Sequence, residues 1–173
     1  MQELARYIRT IPDFPVEGIL FRDITPLLAE PEALQRAARE LAEPFRDAGV
    51  THVVGVEARG FIVGALVAAQ LDAGFVPVRK RGRLPYRTIS RAYQLEYGEA
   101  VLEIHEDAFA NRDVARALFV DDVLATGGTA AASMDLTRRA GATWVVASFL
   151  IELTDLGGRA RIDDVQVHAL FRF

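Results

Sequence analysis

Several features are absent or rare in this 173-residue sequence, and their absence excludes some classes of protein. It has no cysteine, so disulfide bonds contribute nothing to the fold. It also has no run of 18 apolar residues and no charged-then-apolar N-terminal signal, so nothing in it predicts a membrane span or secretion. Lysine occurs only once, as Lys80, beside 19 arginines. We therefore expect a cytoplasmic protein with no membrane partner.

The composition that remains is typical of one folded domain. Hydrophobic residues make up 51% of the chain, and no repeat or low-complexity segment interrupts it, so we expect a single domain over residues 1–173. A formal net charge of −4 argues against general affinity for nucleic acid. His52, His105 and His168 show no metal-ligand spacing, and no metal site built from protein side chains is predicted.

The most informative segment is 117–129, which predicts a buried strand, a turn and the start of a helix. Asp121 and Asp122 end the strand, and the run Ala125-Thr126-Gly127-Gly128-Thr129 forms the turn. Its glycines can point successive backbone N–H groups at one place, and its threonine hydroxyls add donors at a helix N-terminus, where the dipole favours an anion. Two carboxylates can accept hydrogen bonds from neighbouring sugar hydroxyls, so the segment predicts a site for ribose 5-phosphate.

A second turn, Glu57-Ala58-Arg59-Gly60, follows a predicted buried strand over 52–56. Its glycine spacing imitates the start of an NTP-binding loop, but Phe61 stands where such a loop requires lysine, so that interpretation fails. Residues 79–91 then carry six basic side chains and no acid, which on its own is typical of a solvated loop. Residues 90–98 and 100–105 alternate as a hairpin that turns at Gly98-Glu99, with Glu96 pointing opposite its tyrosine neighbours.

The alternation of strands and helices predicts an α/β fold with a mostly parallel sheet and a site at the carboxyl ends of its strands. Residues 2–9 predict a short helix, and residues 13–28 predict a packed loop with a short strand that covers the core. A helix is predicted to begin at Pro31 and to be kinked or shortened at Pro44.

These motifs identify the chain as a member of the type I phosphoribosyltransferases. The segment around Asp121 and Asp122 resembles that family's motif for phosphoribosyl pyrophosphate (PRPP), and residues 57–60 resemble its pyrophosphate loop. Residues 18–28 are similar to the purine-binding hood of its adenine-specific members, and residues 153–159 match a further family segment. The resemblance implies the type I phosphoribosyltransferase fold, a central mostly parallel sheet flanked by helices, with an N-terminal hood (about 1–30) and a flexible hairpin lid (about 79–105).

The resemblance also implies an activity and a set of site residues. Adenine and PRPP, which carries Mg²⁺, would give AMP and pyrophosphate in a homodimer. PRPP and AMP would contact Asp121, Asp122, Ala125, Thr126, Gly127, Gly128 and Thr129. Pyrophosphate would contact Glu57, Ala58, Arg59, Arg79, Lys80 and Arg83, with a cis peptide between Glu57 and Ala58. Adenine would contact Leu20, Phe21, Arg22 and Leu150, and the catalytic residues would be Glu96, Arg59 and Tyr97.

Two alternatives stay open from the sequence. A phosphoribosyltransferase for a 6-oxopurine such as xanthine or hypoxanthine generally uses a lysine to read O6, whereas the resemblance assigns Lys80 to pyrophosphate. A non-catalytic PRPP-sensing regulator would carry an added DNA-binding domain before the hood. We expect adenine as the substrate.

Overall fold

The computed structural model of the protein describes residues 2–95 and 98–173. The helices are α1 (Gln2–Ala5), α2 (Thr25–Ala29), α3 (Pro31–Ala42), α4 (Arg59–Gln70) and α5 (Gly128–Arg139), with 3₁₀ turns at Glu43–Phe45, Thr154–Leu156 and Gly158–Arg161. The strands are β1 (Arg9–Pro12), β2 (Leu20–Asp23), β3 (His52–Val56), β4 (Gly74–Lys80), β5 (Thr88–Leu95), β6 (Gly98–His105), β7 (Ala115–Leu124), β8 (Ala142–Glu152) and β9 (Val167–Arg172).

Seven of the strands form one sheet in the order β5-β6-β4-β3-β7-β8-β9. Strands β4, β3, β7, β8 and β9 run parallel, whereas β6 is antiparallel to β4 and β5 is antiparallel to β6. Every residue of β3 is buried, as expected for a parallel strand that is covered on both faces. The predicted mostly parallel sheet is therefore confirmed, and the carboxyl ends of β3 and β7 lie side by side at one edge.

Side-chain alternation along the strands divides the hydrophobic core into two layers. Val53 and Leu118 pack with α3 and α4 on one face, while Val54 and Phe119 pack with α5 on the other. Helix α3 ends at Ala42 and gives way to a 3₁₀ turn that contains Pro44, which confirms the predicted shortening. Within the described residues, no helix is long and apolar enough to cross a membrane.

The hood is a separate two-stranded antiparallel ribbon of β1 and β2. Asp23 fastens it: its carboxylate accepts hydrogen bonds from the Arg9 guanidinium at 2.6 and 3.1 Å and from the Thr25 backbone N–H at 2.9 Å. These bonds lower the pKa of Asp23 to about 2, the Thr25 N–H having the largest effect. The helix predicted over 2–9 is too long, because Arg9 already pairs with β2 as a strand residue.

The hairpin β5–β6 extends the main sheet rather than standing apart from it. Leu102 and Ile104 of β6 are buried, and Ile89 and Tyr93 of β5 pack against the same core layer. The turn predicted at Gly98-Glu99 is wrong, because Gly98 pairs with Leu95 and so belongs to the ladder. The predicted catalytic residues Glu96 and Tyr97 lie outside the described residues.

Candidate active site

A cavity of about 440 Å³ opens at the carboxyl ends of β3 and β7. Its walls come from the hood, from the turn after β3, and from the end of β7 with the loop that follows. Its lining residues are Ile19, Leu20, Phe21, Arg22, Val56, Glu57, Ala58, Arg59, Asp121, Asp122, Val123, Leu124, Ala125, Thr126, Gly127, Gly128, Thr129, Ala130 and Leu153. Segments separated by about a hundred residues of sequence thus converge on one site, as expected at the switch point of a parallel sheet.

Asp121 and Asp122 form the floor of the cavity. The Asp121 carboxylate accepts the backbone N–H of Asp122 at 2.8 Å, and Gly60 packs so closely on it that a Cβ there would lie 2.7 Å from Oδ1. Burial, followed by the nearby charge of Asp122, raises the pKa of Asp121 well above its usual value. The Asp122 carboxylate instead forms an ion pair with the Arg59 guanidinium. Both acids line the cavity, and of these two acids Asp122 alone forms an ion pair with a cation among the described residues.

The loop between β7 and α5 has the geometry of an anion site. Gly127 has a φ of +80°, which an L side chain rarely adopts, and it precedes α5 with no side-chain cap and no acid in the first turn. Among the described residues no side chain caps this 12-residue helix, so its first N–H groups remain for a ligand, and the helix dipole favours an anion beside them. The Thr129 hydroxyl donates to the Tyr93 hydroxyl at 3.2 Å, which connects this loop to the hairpin.

The turn after β3 brings a second helix N-terminus to the cavity. The Glu57–Ala58 peptide is cis, as the family resemblance implied, and α4 begins at Arg59 with no side-chain cap. Glu57 accepts hydrogen bonds from Arg79 Nε at 2.7 Å and from the Lys80 backbone N–H at 3.3 Å, and Arg83 Nε lies 3.9 Å away. Burial raises the pKa of Glu57, but these contacts outweigh it and the pKa falls below its usual value.

The basic loop, residues 79–91, therefore contacts the turn after β3 through Glu57. The side chain of Arg79 is half-buried against Glu57, while those of Lys80 and Arg83 are exposed. Arg79, Lys80 and Arg83 do not line the cavity in this arrangement, in contrast to Glu57, Ala58 and Arg59.

Phe21 forms the aromatic wall of the cavity. The edge of the Phe14 ring supports it at a centroid distance of 5.1 Å, and the Arg59 guanidinium lies 5.7 Å from the ring centre. Within the described residues β2 pairs with β1 on one side only, so backbone groups along its other edge remain for a ligand. The Arg22 side chain turns away to stack 4.1 Å over Phe173 and to donate to Thr10, which leaves its backbone at the cavity.

The structure corrects one predicted base contact. Leu150 lies within β8, is fully buried in the core layer beneath α3 and α4, and does not line the cavity. Leu153 follows the end of β8 and lines the cavity instead. The sequence did contain a signal for it, because Leu153 opens the family-like segment 153–159. The described residues contain no cluster of three or more histidine or acidic side chains that could hold a metal ion.

Comparison with known proteins places this geometry in a family. A sequence model of the phosphoribosyl transferase domain matches residues 23–167. The adenine phosphoribosyltransferase of Dinoroseobacter shibae is 55% identical over 98% of this chain and 95% of its own, and that of Acidothermus cellulolyticus is also 55% identical, over 98% and 94%. The crystal structure of the Rhodothermus marinus adenine phosphoribosyltransferase superposes with a TM-score of 0.92 at 52% identity, covering 99% of this chain and 97% of that one. The chain belongs to the phosphoribosyltransferase family, among its adenine phosphoribosyltransferases.

Proposed function

We propose that this protein transfers the 5-phosphoribosyl group of PRPP to adenine, giving AMP and pyrophosphate. The observation that carries the proposal is the single cavity in which two uncapped helix N-termini, two adjacent carboxylates and one aromatic wall meet. PRPP has two phosphate-bearing ends separated by a ribose diol, and this order of groups fits that molecule. The yeast member of the family was crystallised with adenine and a bisphosphate iminoalditol, at 37% identity to this chain.

The ribose 5-phosphate half is assigned to β7 and the loop after it. Residues Ala125 to Thr129 would hold the 5′-phosphate through backbone N–H groups and the start of α5. Asp121 and Asp122 would accept hydrogen bonds from the two ribose hydroxyls. Asp122 is paired with Arg59 before the substrate arrives. A ribose hydroxyl of PRPP must therefore displace Arg59 from the carboxylate or bind beside it.

The pyrophosphate half is assigned to the turn after β3. Breaking the bond between C1′ and pyrophosphate develops positive charge on the ribose and negative charge on the leaving group, so fixed cations near the leaving group stabilise the transition state. Ala58 and Arg59 lie at the start of α4, and Glu57 holds Arg79 and Arg83 close by. The exposed Lys80 would join them when the basic loop closes. Mg²⁺ enters as part of the PRPP substrate and neutralises the same phosphates.

Adenine is assigned to the hood side of the cavity. Phe21 would stack on the purine, the free edge of β2 from Leu20 to Arg22 would bind its polar rim, and Leu153 would pack against it in place of Leu150. Glu96 remains our candidate for proton transfer at the purine nitrogens, with Tyr97 as its partner in closing the lid. A homodimer, a cytoplasmic location and a lid formed by residues 79–105 are also part of this proposal.

The proposal is tested by supplying PRPP and Mg²⁺ with adenine, hypoxanthine, guanine or xanthine and measuring nucleotide and pyrophosphate release. We expect AMP from adenine and little product from the three oxopurines. Preference for an oxopurine would overturn the base assignment alone. Binding of PRPP without turnover of any base would instead support a sensor.

A further inference from the structure

The segment after β8 lies directly behind the phosphate loop, which is the run Ala125 to Thr129 from the end of β7 to the start of α5. Its second 3₁₀ turn, Gly158–Arg161, begins with a buried glycine at the loop's back. A Cβ added to Gly158 would lie 2.1 Å from the Ala125 carbonyl oxygen and 2.8 Å from the Gly127 nitrogen. A Cβ added to Gly127 would lie 2.4 Å from the Gly158 carbonyl oxygen. The two backbones are in contact, and neither has room for a methyl group.

The same segment is tied to the sheet by a charged cluster outside the cavity. The Arg159 guanidinium donates from Nε and Nη2 to the two carboxylate oxygens of Glu152 at 2.8 and 2.6 Å, and from Nη1 to the Val167 carbonyl at 3.0 Å. Arg172 adds a second cation 3.3 Å from the Glu152 carboxylate. Glu152 is only 5% exposed, and a bidentate pair in such surroundings fixes orientation more firmly than a surface ion pair.

These contacts join the phosphate loop to the last two strands of the sheet. Glu152 ends β8, Arg159 connects it to β9 through Val167, and Gly158, the neighbour of Arg159, supports Ala125 and Gly127 from behind. The loop has few supports of its own, because Gly127 is conformationally free in isolation and α5 has no side-chain cap. Its shape must therefore be imposed by what packs on it.

We propose that Gly158, Arg159 and Glu152 are positioning residues that hold the phosphate loop in the conformation which accepts the 5′-phosphate of PRPP. None of the three touches the substrate in this assignment, and the inference rests on the proposed function of the loop. A misplaced set of N–H donors would weaken binding of the phosphate-bearing substrate first. Adenine, which binds at the hood, would be affected much less.

The decisive variant is Gly158→Ala, with Gly157→Ala as its matched control. Gly157 has a φ of +63° and nothing within 4 Å of an added Cβ, so alanine there strains the turn without pushing on the loop. Gly158 has no left-handed φ, so alanine there acts through the clash alone. We expect Gly158→Ala to raise the KM for PRPP about tenfold while the KM for adenine changes less than about twofold. We expect Gly157→Ala to lower the melting temperature and to leave both KM values near those of the wild type.

A second pair tests the charged anchor in case Gly158→Ala fails to fold. Arg159→Ala should raise the KM for PRPP by about fivefold. Arg159→Lys should raise that KM by a smaller factor but not leave it at the wild-type value, because lysine keeps the charge and cannot make the bidentate contact. Arg161→Ala, an exposed arginine in the same 3₁₀ turn, should leave both KM values unchanged. Equal increases in the two KM values, or loss of stability with an unchanged PRPP KM, would overturn the inference. A wild-type enzyme that makes no AMP would overturn the proposed function instead.

Discussion

At the scale of single residues, Asp121 and Asp122 are neighbours in sequence but have different electrostatic surroundings. Asp122 is paired with Arg59, whereas Asp121 is buried beside Gly60 and accepts a hydrogen bond from the Asp122 N–H. Burial of a carboxylate without a cation favours its neutral form, which is why the pKa of Asp121 rises. Two acids with the same assigned role should therefore respond differently to substitution.

We predict that Asp121→Asn and Asp122→Asn each weaken PRPP binding by about 1.5–3 kcal/mol, the range for a lost charge-assisted hydrogen bond. Their effects on stability should differ in sign. A raised folded-state pKa means that stability is lost as the pH rises through that pKa, so removing the Asp121 charge should raise the melting temperature at neutral pH. Removing the Asp122 charge breaks its ion pair and should not raise it. Calorimetry with PRPP and thermal unfolding of both variants measure this; wild-type PRPP affinity in both would refute the diol assignment.

Phe21 is the residue on which base recognition depends in our assignment. Phe21→Ala should raise the KM for adenine about tenfold, because it removes the stacking contact and the buried apolar area, while the KM for PRPP changes little. Steady-state kinetics with each substrate varied in turn gives the comparison. Phe14→Ala is the matched control, since it removes a hood phenylalanine that contacts Phe21 but does not line the cavity. If both variants raise the adenine KM equally, Phe21 acts only through hood packing.

At the scale of elements, the hood depends on polar anchoring because it contributes little to the main sheet. Its ribbon of β1 and β2 has four paired positions, and most of its side chains are exposed or half-buried. Asp23 is its one nearly buried acid, fastened to β1 through Arg9 and to the start of α2 through Thr25. The acid thus connects three elements at the end of the strand that carries Phe21.

This anchoring predicts a dependence of stability on pH. Because folding lowers the pKa of Asp23 from 3.8 to about 2, its contribution is present above the unfolded-state pKa and is lost as the pH falls through 2. We expect Asp23→Asn to lower the free energy of unfolding by about 1–2 kcal/mol at neutral pH. This is less than the full pKa change would give, because Arg9 is largely exposed and solvent screens the ion pair. The cost should shrink as the pH approaches 3, as measured by urea unfolding across a pH series. Asp47→Asn, at an exposed acid, is the control; a cost independent of pH would contradict the linkage.

For the molecule as a whole, the proposed substrate bridges three parts of the chain that meet at one cavity. The hood, the turn after β3 and the loop after β7 each carry one side of the cavity, and α4 and α5 pack on opposite faces of the sheet with their N-termini at its edge. A ligand that bridges all three should therefore stabilise the folded chain as a unit.

We predict that PRPP with Mg²⁺, at about a hundredfold excess over its Kd, stabilises the protein by about 2.7 kcal/mol and raises the melting temperature by about 5–10 °C. Chelating the metal should reduce this shift, because the substrate phosphates then lack their counter-ion. Adenine alone at the same concentration should give a smaller shift, because its fewer contacts predict a larger Kd. Thermal unfolding with each ligand measures this, and an equal shift in the presence of a chelator would show that PRPP binds without its metal.

Elements with strong local signals can be predicted from the amino-acid sequence. The apolar runs of β3 and β7 predict buried strands because only a covered sheet tolerates them, and Gly127 predicts a left-handed turn because other residues resist that φ. The loop to Thr129 follows β7 as predicted, but β7 continues to Leu124, so Asp121 and Asp122 lie within the strand and not at its end. Pro44 also predicts the end of α3, because proline lacks the N–H that would continue the helix.

Which distant residues meet depends instead on the packing of elements against one another. Leu150 and Leu153 are both apolar and three residues apart, and hydrophobic periodicity does not distinguish the one inside β8 from the one beyond its end. The hairpin register depended on where the β5–β6 ladder ends, which strand pairing sets and the alternation of side chains does not. The contact between Gly158 and Gly127 joins two backbones 31 positions apart and leaves no side-chain pattern in the sequence. Local sequence patterns do not predict such contacts, because they depend on packing between elements that come together only when the sheet forms.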